Sequence, residues 1–545
     1  MRRQTRFGPV EGYADDAEGV FVWKGIPFAA PPVGPRRWKS PIDPQPWRDI
    51  RSAQSDPPPC AQLKYAPTWI RLPVVHGSED CLYLNIFRPQ TDEADLPVYF
   101  WIHGGANSSG YAAEYAMERF ARKSETVVVV AQYRLNVFGF FTNPGMRAEA
   151  TPEDASGNFG ALDQIKALRW VQENISSFGG NPANVTIAGE SAGAHNVSAL
   201  LISPLSQGLF HRAIMQSGFM RWDSREEADA ISERTLAAAC KMKGHAALSS
   251  LTAEELVQAH AGGPGCTALP LANQIEDGHV IPGNLLSAFA EGRFARVPIL
   301  LGTNAHETGL TSVLLPPLYE GMPDYRELND VSHGRKALND VLRTPRDRRL
   351  YEKANFYGSL FWRTAHTDEF SRRIARHQDI YSYCFKWGDE CSRPGDLGFI
   401  YGAAHGTEIP FFHGNVDDES IQSSLPWSVL NGMTPANRPG RIDLSRAIVE
   451  YLAEFVRSGT PNRRGSGLPH WQPWSNAPTG PKCLALGADQ QRAIIHMEDD
   501  ESSMEQIWAM LDAEPVEDRE HILAVVQAIQ GFYVKRPAGR PDRND

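Results

Sequence analysis

The chain contains 545 residues, with 54 Lys and Arg against 65 Asp and Glu, which gives a formal net charge of −11. This mildly acidic balance, without a dominant basic stripe, disfavours nucleic acid and anionic membranes as partners. Hydrophobic residues make up 42% and charged residues 22%, the proportions of an ordinary globular protein. The length exceeds that of a usual single domain, but a large α/β enzyme can reach it by adding inserted segments to one sheet.

The N-terminus and the apolar segments bear on localisation. Residues 1–16 begin with a basic cluster that no apolar segment follows, so they lack the pattern of a signal peptide. No run of about 18 apolar residues occurs, so the sequence predicts no transmembrane span. We expect a cytoplasmic protein, or a secreted or periplasmic one if a signal peptide has already been removed.

The first predicted elements follow an opening of 60 residues rich in Pro and Gly, which favours turns and extended segments that wrap a core. Residues 96–102 and 126–131 are continuous apolar runs, typical of strands buried on both faces of a parallel sheet. Residues 158–177 place apolar side chains three and four positions apart, which predicts a helix with one apolar face. Two further strands are predicted at 185–188 and 297–301.

The last predicted strand covers residues 380–385. Strands that alternate with helices predict an α/β fold with a large, mostly parallel central sheet flanked by helices. Two helix-rich regions, about 221–290 and 311–376, are interpreted as cap-like insertions into a single catalytic domain over 1–536. The polar, Pro- and Gly-rich tail at 537–545 is expected to be disordered.

A candidate nucleophile lies in Gly189-Glu190-Ser191-Ala192-Gly193, which matches the G-x-S-x-G pattern of a serine on a sharp turn between a strand and a helix. Such a turn leaves no room for side chains two positions before and after the serine, which explains the glycines. The alternative is a Gly-rich turn that merely contains a serine, because this short pattern also arises by chance.

Candidate oxyanion donors lie in the loop 103–110, which follows the predicted strand at 96–102. Backbone N–H groups of such a loop, together with the one after the nucleophile, can bind the oxyanion of a tetrahedral intermediate. We assign Gly105, Ala106 and Ala192 to this role. The alternative is a plain turn that uses its glycines for positive φ.

The acid and the base of a serine triad are expected after the nucleophile, in that order. Glu307 follows the predicted strand at 297–301, where open α/β sheets place functional residues. His405 lies on a loop beside a glycine, with His306 and His413 as its rivals. In this hypothesis His405 takes the serine proton, Glu307 orients the imidazole, and an acyl-enzyme forms and is hydrolysed.

These motifs resemble those of the type B carboxylesterases, and the resemblance runs through nearly the whole chain. The segment from Phe178 to Gly193 looks like the serine signature of that family, and Ser78 to Asn85 looks like its second signature. Further similar blocks are Gly25 to Pro32, Gln132 to Leu135, Gly157 to Gly160, Met215 to Gly218 and Gly459 to Asn462. The resemblance implies an α/β-hydrolase fold and hydrolysis of small carboxylic esters.

The resemblance also assigns residues that spacing alone does not. It places Glu307 and His405 at the acid and base positions, Glu190 and Ser217 near the imidazole, and Cys60 and Cys81 at an N-terminal disulfide. Alternatives remain for the last four: Glu190 as a turn residue, Ser217 as a strand-end cap, and the cysteines as reduced thiols, which a cytosolic protein would favour.

Three departures from the family pattern stand out. The oxyanion loop reads His-Gly-Gly-Ala106-Asn107 where the family commonly has His-Gly-Gly-Gly-Phe. Glu307 is followed by Thr308-Gly309, whereas the family has Gly directly after its acid. The spacing of Cys240 and Cys266 is longer than that of the family's second disulfide, so no such bridge is predicted.

The substrate pocket is the least determined part of the prediction. Asn107, Phe361 and Trp362 are candidate lining residues, although both aromatic residues could instead pack a helix. We expect no metal and no organic cofactor, a small-molecule ester as partner, and a monomer or homodimer. The same triad could also cleave amides, carbamates or thioesters, and a non-catalytic binding protein on the same fold is the remaining alternative.

Overall fold

The computed structural model describes residues 1–65, 71–218, 222–244, 248–263, 272–309, 318, 322–323, 325–332, 334–389, 391–393, 395–417 and 432–530. The chain forms two compact units. The first comprises Met1–Ala66, Ile70–Leu300 and Val449–Arg464, and the second comprises Pro67–Trp69, Leu301–Ile448 and Gly465–Asp545. The predicted tail, 537–545, lies outside the described residues.

The strands, in chain order, are β1 (Arg2–Gln4), β2 (Pro9–Glu11), β3 (Tyr13–Asp15), β4 (Val20–Pro27), β5 (Arg51–Ser52), β6 (Gln62–Tyr65), β7 (Arg71–His76), β8 (Tyr83–Pro89), β9 (Leu96–Ile102), β10 (Val127–Ala131), β11 (Gly180–Glu190), β12 (Arg212–Gln216), β13 (Ile299–Asn304), β14 (Ile380–Phe385), β15 (Cys483–Ala488) and β16 (Ala493–Glu498).

The α-helices are α1 (Glu118–Ser124), α2 (Asn136–Gly139), α3 (Pro144–Arg147), α4 (Pro152–Ala155), α5 (Phe159–Asn174), α6 (Ala192–Ile202), α7 (Arg225–Lys243), α8 (Ala253–His260), α9 (Leu285–Ala290), α10 (Tyr325–Ser332), α11 (Leu338–Val341), α12 (Pro345–Arg363), α13 (Glu369–Ile374), α14 (Asp396–Tyr401), α15 (Ile409–Phe412), α16 (Arg438–Ser458), α17 (Met504–Asp512) and α18 (Val516–Gln530).

The first unit is built on strands in the order β12-β11-β9-β10-β8-β4-β3. The pairs β12-β11, β11-β9 and β9-β10 are parallel, whereas β10-β8, β8-β4 and β4-β3 are antiparallel. All five residues of β10 are buried, as expected for a run of β-branched residues covered on both faces. The predicted strands at 96–102, 126–131 and 185–188 are therefore confirmed.

The register of the parallel strands brings their carboxyl ends to one edge. Ile102 pairs with Ala131 and with Gly189, and Glu190 pairs with Gln216. Because parallel strands in register end at the same level, the next residue of each chain segment leaves the sheet at this edge. Those next residues are His103, Ser191 and Ser217.

The predicted helix at 158–177 forms as α5 followed by a 3₁₀ turn over Ile175–Phe178. The helical segment ends at Gly179, whose φ of 82° is the left-handed conformation that commonly stops a helix. The N–H of Gly179 donates to the carbonyl oxygen of Ser176. This termination returns the chain to the sheet as β11, which leads to Ser191.

The second unit contains strands in the order β16-β15-β14-β13, with β14-β15 parallel and β15-β16 antiparallel. The predicted strands at 297–301 and 380–385 correspond to β13 and β14. The N–H of Ala305, just beyond β13, donates to the carbonyl oxygen of Phe385 at 2.8 Å. Helix α12 starts at a capping box of Thr344 and Asp347 and continues into a π-helical turn over Thr364–Asp368.

The two regions interpreted as insertions contain several helices among the residues that the structure describes. Region 221–290 contains α7, α8 and α9, and region 311–376 contains α10 to α13. In the first unit α8 packs on α2 and α7 in a hydrophobic cluster that includes Val137, Ala239 and Leu256. The helix-rich character is confirmed, whereas the role of these regions as a cap stays a prediction.

Candidate active site

Ser191 lies in the turn between β11 and α6 with φ 57° and ψ −122°. A positive φ is uncommon for a non-glycine residue and must be held by its surroundings. Here the Ser191 N–H donates to the carbonyl oxygen of Gln216 at 2.9 Å, and the carbonyl oxygen of Ser191 accepts from the His195 N–H at 3.1 Å. The serine is half-buried, which leaves part of it exposed at the edge of the sheet.

Three glycines explain how closely the backbone packs around Ser191. A Cβ on Gly189 would lie 2.4 Å from the carbonyl carbon of Gly193, and a Cβ on Gly193 would lie 2.0 Å from the carbonyl oxygen of Ile102. A Cβ on Gly104 would lie 3.2 Å from the Cβ of Ser191. The predicted lack of room two positions before and after the serine is therefore confirmed, and the loop after β9 packs directly against the serine.

The loop after β9 has three consecutive residues in the left-handed region: Gly105 (φ 99°), Ala106 (φ 56°) and Asn107 (φ 54°). The N–H groups of Ser108 and Ser109 both donate to the carbonyl oxygen of Gly105 at 3.0 Å. This conformation costs a residue with a Cβ about 1–2 kcal/mol, so Ala106 is held there by the rest of the structure.

The N–H groups assigned as oxyanion donors are available for a ligand. Among the described residues, none of the N–H groups of Gly105, Ala106 and Ala192 has a hydrogen-bond acceptor. Ala192 is the first residue of α6, where N–H groups have no partner within the helix and the helix dipole favours negative charge. These groups can bind an anionic oxygen.

Side chains from neighbouring elements fix the start of the loop. The N–H of Gly104 donates to the hydroxyl of Tyr115 at 3.3 Å. The hydroxyl of Tyr133 is shared between the carbonyl oxygen of His103 at 2.8 Å and Oδ1 of Asn107 at 3.2 Å. The ring of His103 stacks on Tyr133 with centroids 4.5 Å apart, and burial lowers the pKa of His103 to about 4. His103 is therefore a neutral structural residue at physiological pH.

Asn107 points into the protein interior. Its side chain is buried with 1% exposure, and its Oδ1 accepts from Nδ2 of Asn196 at 2.9 Å. Its carbonyl oxygen accepts from the N–H of Asn136 at 2.7 Å. These contacts make Asn107 an anchor of the loop, in place of the pocket-lining role that the sequence suggested.

Glu307 and His405 form a hydrogen-bonded pair in the second unit. Oε2 of Glu307 lies 2.7 Å from Nδ1 of His405, and the N–H of His405 donates to the carbonyl oxygen of Glu307 at 3.2 Å. Oε1 of Glu307 accepts from Oγ1 of Thr303 at 2.6 Å and from the N–H of Asn304 at 2.7 Å. The carboxylate has 0% exposure, so these donors compensate for its burial.

The rival histidines have other surroundings. Nδ1 of His306 accepts from the N–H of Ala403 at 3.1 Å, and burial lowers the pKa of His306. Burial also lowers the pKa of His413, to about 3. Both side chains are therefore neutral near pH 7. The histidine ring that Oε2 of Glu307 contacts is that of His405.

The two candidate aromatic residues of α12 have different environments. The ring of Trp362 contacts the imidazole of His405, with centroids 5.1 Å apart and planes at 55°. Phe361 is 1% exposed and packs in a hydrophobic cluster with Trp508 of α17 and Ile522 of α18. Phe361 therefore packs α12 against α17 and α18, as the alternative interpretation of the sequence expected.

The residues assigned by resemblance lie near the nucleophile turn. Glu190 is buried, with Oε2 3.0 Å from the position of a Cβ on Gly104, and Ser217 is buried with φ 49° at the end of β12. Burial, and next the carboxylates of Glu114 and Glu190, raise the pKa of Tyr115, which therefore stays protonated.

Cys60 and Cys81 form a disulfide across a sequence separation of 21 residues. The resemblance had implied this bridge, and the alternative of two reduced thiols does not apply. The free cysteines that the structure describes are Cys240, Cys384, Cys391 and Cys483. Cys266 lies outside the described residues.

Sequence reasoning missed several residues that support the site. Thr303 and Asn304 lie four and three positions before the acid, and a Thr-Asn pair at a strand end could have indicated donors to a nearby carboxylate. No pattern in the sequence indicated that Tyr115 or Tyr133 holds the oxyanion loop. Asn196 and Gln274 are 78 residues apart, so nothing in the sequence linked them. No helix in the described part of the chain is long and apolar enough to cross a membrane.

The comparisons with known proteins agree on one family. The sequence profile of the Carboxylesterase family matches residues 2–504. The para-nitrobenzyl esterase of Bacillus subtilis is 32% identical over 492 residues, which cover 85% of this chain and 91% of that protein. The medium-chain fatty acyl-CoA hydrolase precursor of Anas platyrhynchos is 33% identical over 512 residues, 86% of either chain.

The solved structures agree with the sequence comparisons. A carboxylesterase of Geobacillus stearothermophilus superposes with a TM-score of 0.70 at 32% identity, covering 93% of this chain and 99% of that one. The fold is that of the α/β-hydrolases, as the sequence predicted. The chain belongs to the carboxylesterase family, and it is an enzyme that hydrolyses carboxylic esters.

Proposed function

We propose that Ser191, His405 and Glu307 act together as the catalytic triad of a serine esterase. The observation that carries this proposal is the 2.7 Å contact between Nδ1 of His405 and Oε2 of Glu307. A proton on Nδ1, donated to the carboxylate, leaves the acceptor lone pair on Nε2, as a general base for serine requires. Ser191, on its strained turn after β11, supplies the nucleophile.

The reaction proceeds in two halves. Oγ of Ser191 attacks the ester carbonyl carbon while Nε2 of His405 accepts its proton, and the N–H groups of Gly105, Ala106 and Ala192 bind the oxyanion. The imidazolium then protonates the leaving alcohol, and an acyl-enzyme remains. Water, deprotonated by His405, attacks the acyl carbon, and Ser191 leaves with the proton restored.

The test is hydrolysis of p-nitrophenyl butyrate by Ser191→Ala. We expect turnover to fall by at least about 10⁴-fold, since the nucleophile is lost. A fluorophosphonate should label the wild-type enzyme once per chain and leave Ser191→Ala unlabelled. Ser177→Ala changes an exposed serine near the end of α5 and is the matched control, with unchanged turnover. Full turnover or labelling in Ser191→Ala would refute the triad.

A thioester is the second candidate bond. A relative at 33% identity is named as a fatty acyl-CoA hydrolase, which supports testing thioesters on this chain. The triad chemistry serves either bond, so the preference depends on the pocket. Rates on a matched pair, butyryl-CoA and ethyl butyrate, would decide between them, and butyramide would test the amide alternative.

A further inference from the structure

A chain of three buried amide side chains runs behind the oxyanion loop. Nδ2 of Asn196, on α6, donates to Oδ1 of Asn107 at 2.9 Å, and Nε2 of Gln274 donates to Oδ1 of Asn196. Asn196 and Gln274 are both fully buried. The chain therefore connects the loop to the helix that starts at the nucleophile and to the inserted region 221–290.

The backbone of the inserted region also reaches the loop. The N–H of Ala272 donates to the carbonyl oxygen of Ala106 at 3.4 Å, and the carbonyl oxygen of Gln274 accepts from the N–H of Asp223 at 2.9 Å. A parallel bridge between Asp223 and Ile275 fixes this segment further. The amide chain thus ends in a segment that is itself held by backbone hydrogen bonds.

This anchoring matters because the loop conformation is unfavourable on its own. Ala106 and Asn107 both carry a Cβ and both have positive φ, so a free loop would leave this conformation. The N–H groups of Gly105 and Ala106 flank these same dihedral angles, so a change in φ at Ala106 would turn them away from a bound oxyanion. The contacts at Oδ1 of Asn107 and Oδ1 of Asn196 hold these side chains in one orientation, because breaking either contact would leave further buried polar atoms without partners.

We propose that the amide chain Asn107–Asn196–Gln274 holds the oxyanion loop in its left-handed conformation, and that Asn107 is a positioning residue for ester hydrolysis. This inference rests on the proposed role of the Gly105 and Ala106 N–H groups. Asn107 acts through the backbone of the loop and does not touch the substrate. Its effect should therefore appear where negative charge develops on the substrate oxygen.

The first experiment measures kcat and KM of Asn107→Ala with p-nitrophenyl butyrate. Kcat should fall about 10- to 100-fold, less than for loss of a whole donor, while KM changes by less than about threefold. The affinity for a butyl trifluoromethyl ketone, whose adduct carries an oxyanion, should weaken by the same factor as kcat/KM. The affinity for butyrate should not change.

Rescue separates positioning from a general loss of structure. Ala106→Gly removes the Cβ that disfavours positive φ, so adding it to Asn107→Ala should restore at least half of the lost kcat on a logarithmic scale. Gln274→Met is a nearly isosteric change at the far end of the amide chain and should lower kcat by about two- to fivefold. It replaces Asn107→Ala as the test variant if Asn107→Ala does not fold. Asn143→Ala, which removes a cap of α3, is the control for an asparagine lost elsewhere and should keep kcat.

The outcomes are decisive in either direction. Unchanged kcat in Asn107→Ala, or in Gln274→Met where that variant replaces it, would overturn the inference. So would a loss of kcat that Ala106→Gly does not relieve, or an inhibitor affinity that does not follow kcat/KM. If Ser191→Ala is inactive while Asn107→Ala behaves like wild type, only this inference fails and the triad stands.

Discussion

The indole of Trp362 lies against the imidazole of His405, with ring centroids 5.1 Å apart. Nδ1 of the same imidazole is held by Oε2 of Glu307. A flat aromatic neighbour limits rotation of the imidazole about its Cβ–Cγ bond. Trp362 is therefore expected to orient the general base.

The first prediction concerns Trp362. Trp362→Leu should lower kcat about tenfold with a smaller change in KM, whereas Trp362→Phe keeps an aromatic ring and should stay within about threefold of wild type. Phe356→Ala, on the exposed side of the same helix, is the control and should not change kcat. Equal activity of the Leu and Phe variants would contradict an orienting role of the ring.

The second prediction concerns the acid and its support. Glu307→Gln should lower kcat by about 10³–10⁴, because an amide no longer fixes the imidazole tautomer. Thr303→Val removes the donor to Oε1 and should lower kcat by roughly three- to tenfold. Thr252→Val, at the exposed cap of α8, is the matched control. If Glu307→Gln keeps a tenth of wild-type turnover, the acid has been misassigned.

The third prediction concerns the glycines around the nucleophile. Gly193→Ala would place a methyl group 2.0 Å from the carbonyl oxygen of Ile102, so the turn must shift and turnover should fall below about 1% of wild type. Gly487→Ala in β15 has its nearest neighbours at 3.5 and 3.6 Å and should be tolerated. Wild-type kinetics in Gly193→Ala would show that the turn tolerates a displacement of this size.

The fourth prediction concerns the disulfide. Replacing Cys60 and Cys81 together by Ala should lower the free energy of unfolding by about 3 kcal/mol, since the bridge constrains a loop of 21 residues in the unfolded chain. Cys391→Ser, at an exposed thiol, should leave stability unchanged. Urea unfolding in the absence of reductant gives both values. A stability equal to wild type would mean that the bridge contributes nothing in solution.

The fifth prediction concerns acid. Burial lowers the pKa of His260 to about 4, below the 6.5 of an unfolded chain. Between these values the unfolded state binds a proton that the folded state excludes, so stability falls as pH decreases from about 6.5 to 4. His260→Gln should flatten this part of a plot of melting temperature against pH. An unchanged slope would mean that His260 is protonated in the folded protein.

The sequence alone was enough to predict the features that depend on a regular pattern of apolar residues or on packing within a short segment. Consecutive Val residues in β10 and the spacing of apolar residues in α5 gave both elements, because burial on two faces or on one stripe requires those patterns. The sequence predicted that the glycines flanking Ser191 are needed for close packing. The structure identifies the neighbours: Gly189 packs against Gly193, and Gly193 packs against Ile102.

The sequence was not sufficient for contacts between distant segments. Asn107 was assigned to the pocket because it is polar and follows the oxyanion donors, yet its partner Asn196 is 89 positions away, and Gln274, which donates to Asn196, is 167 positions away. Phe361 and Trp362 are adjacent on α12, yet Phe361 packs against Trp508 whereas Trp362 contacts His405. Which side faces which neighbour is decided by tertiary packing, which a single sequence does not display.

The crowding at Gly104, Gly189 and Gly193 has a practical consequence for changing the enzyme's substrate range. Saturation libraries at these three codons would consist almost entirely of inactive clones, because each position rejects even one added carbon atom. Ala106 already carries a methyl group in the same loop. Diversity introduced there, with the amide chain left intact, should give a far higher yield of working catalysts with altered acyl preference.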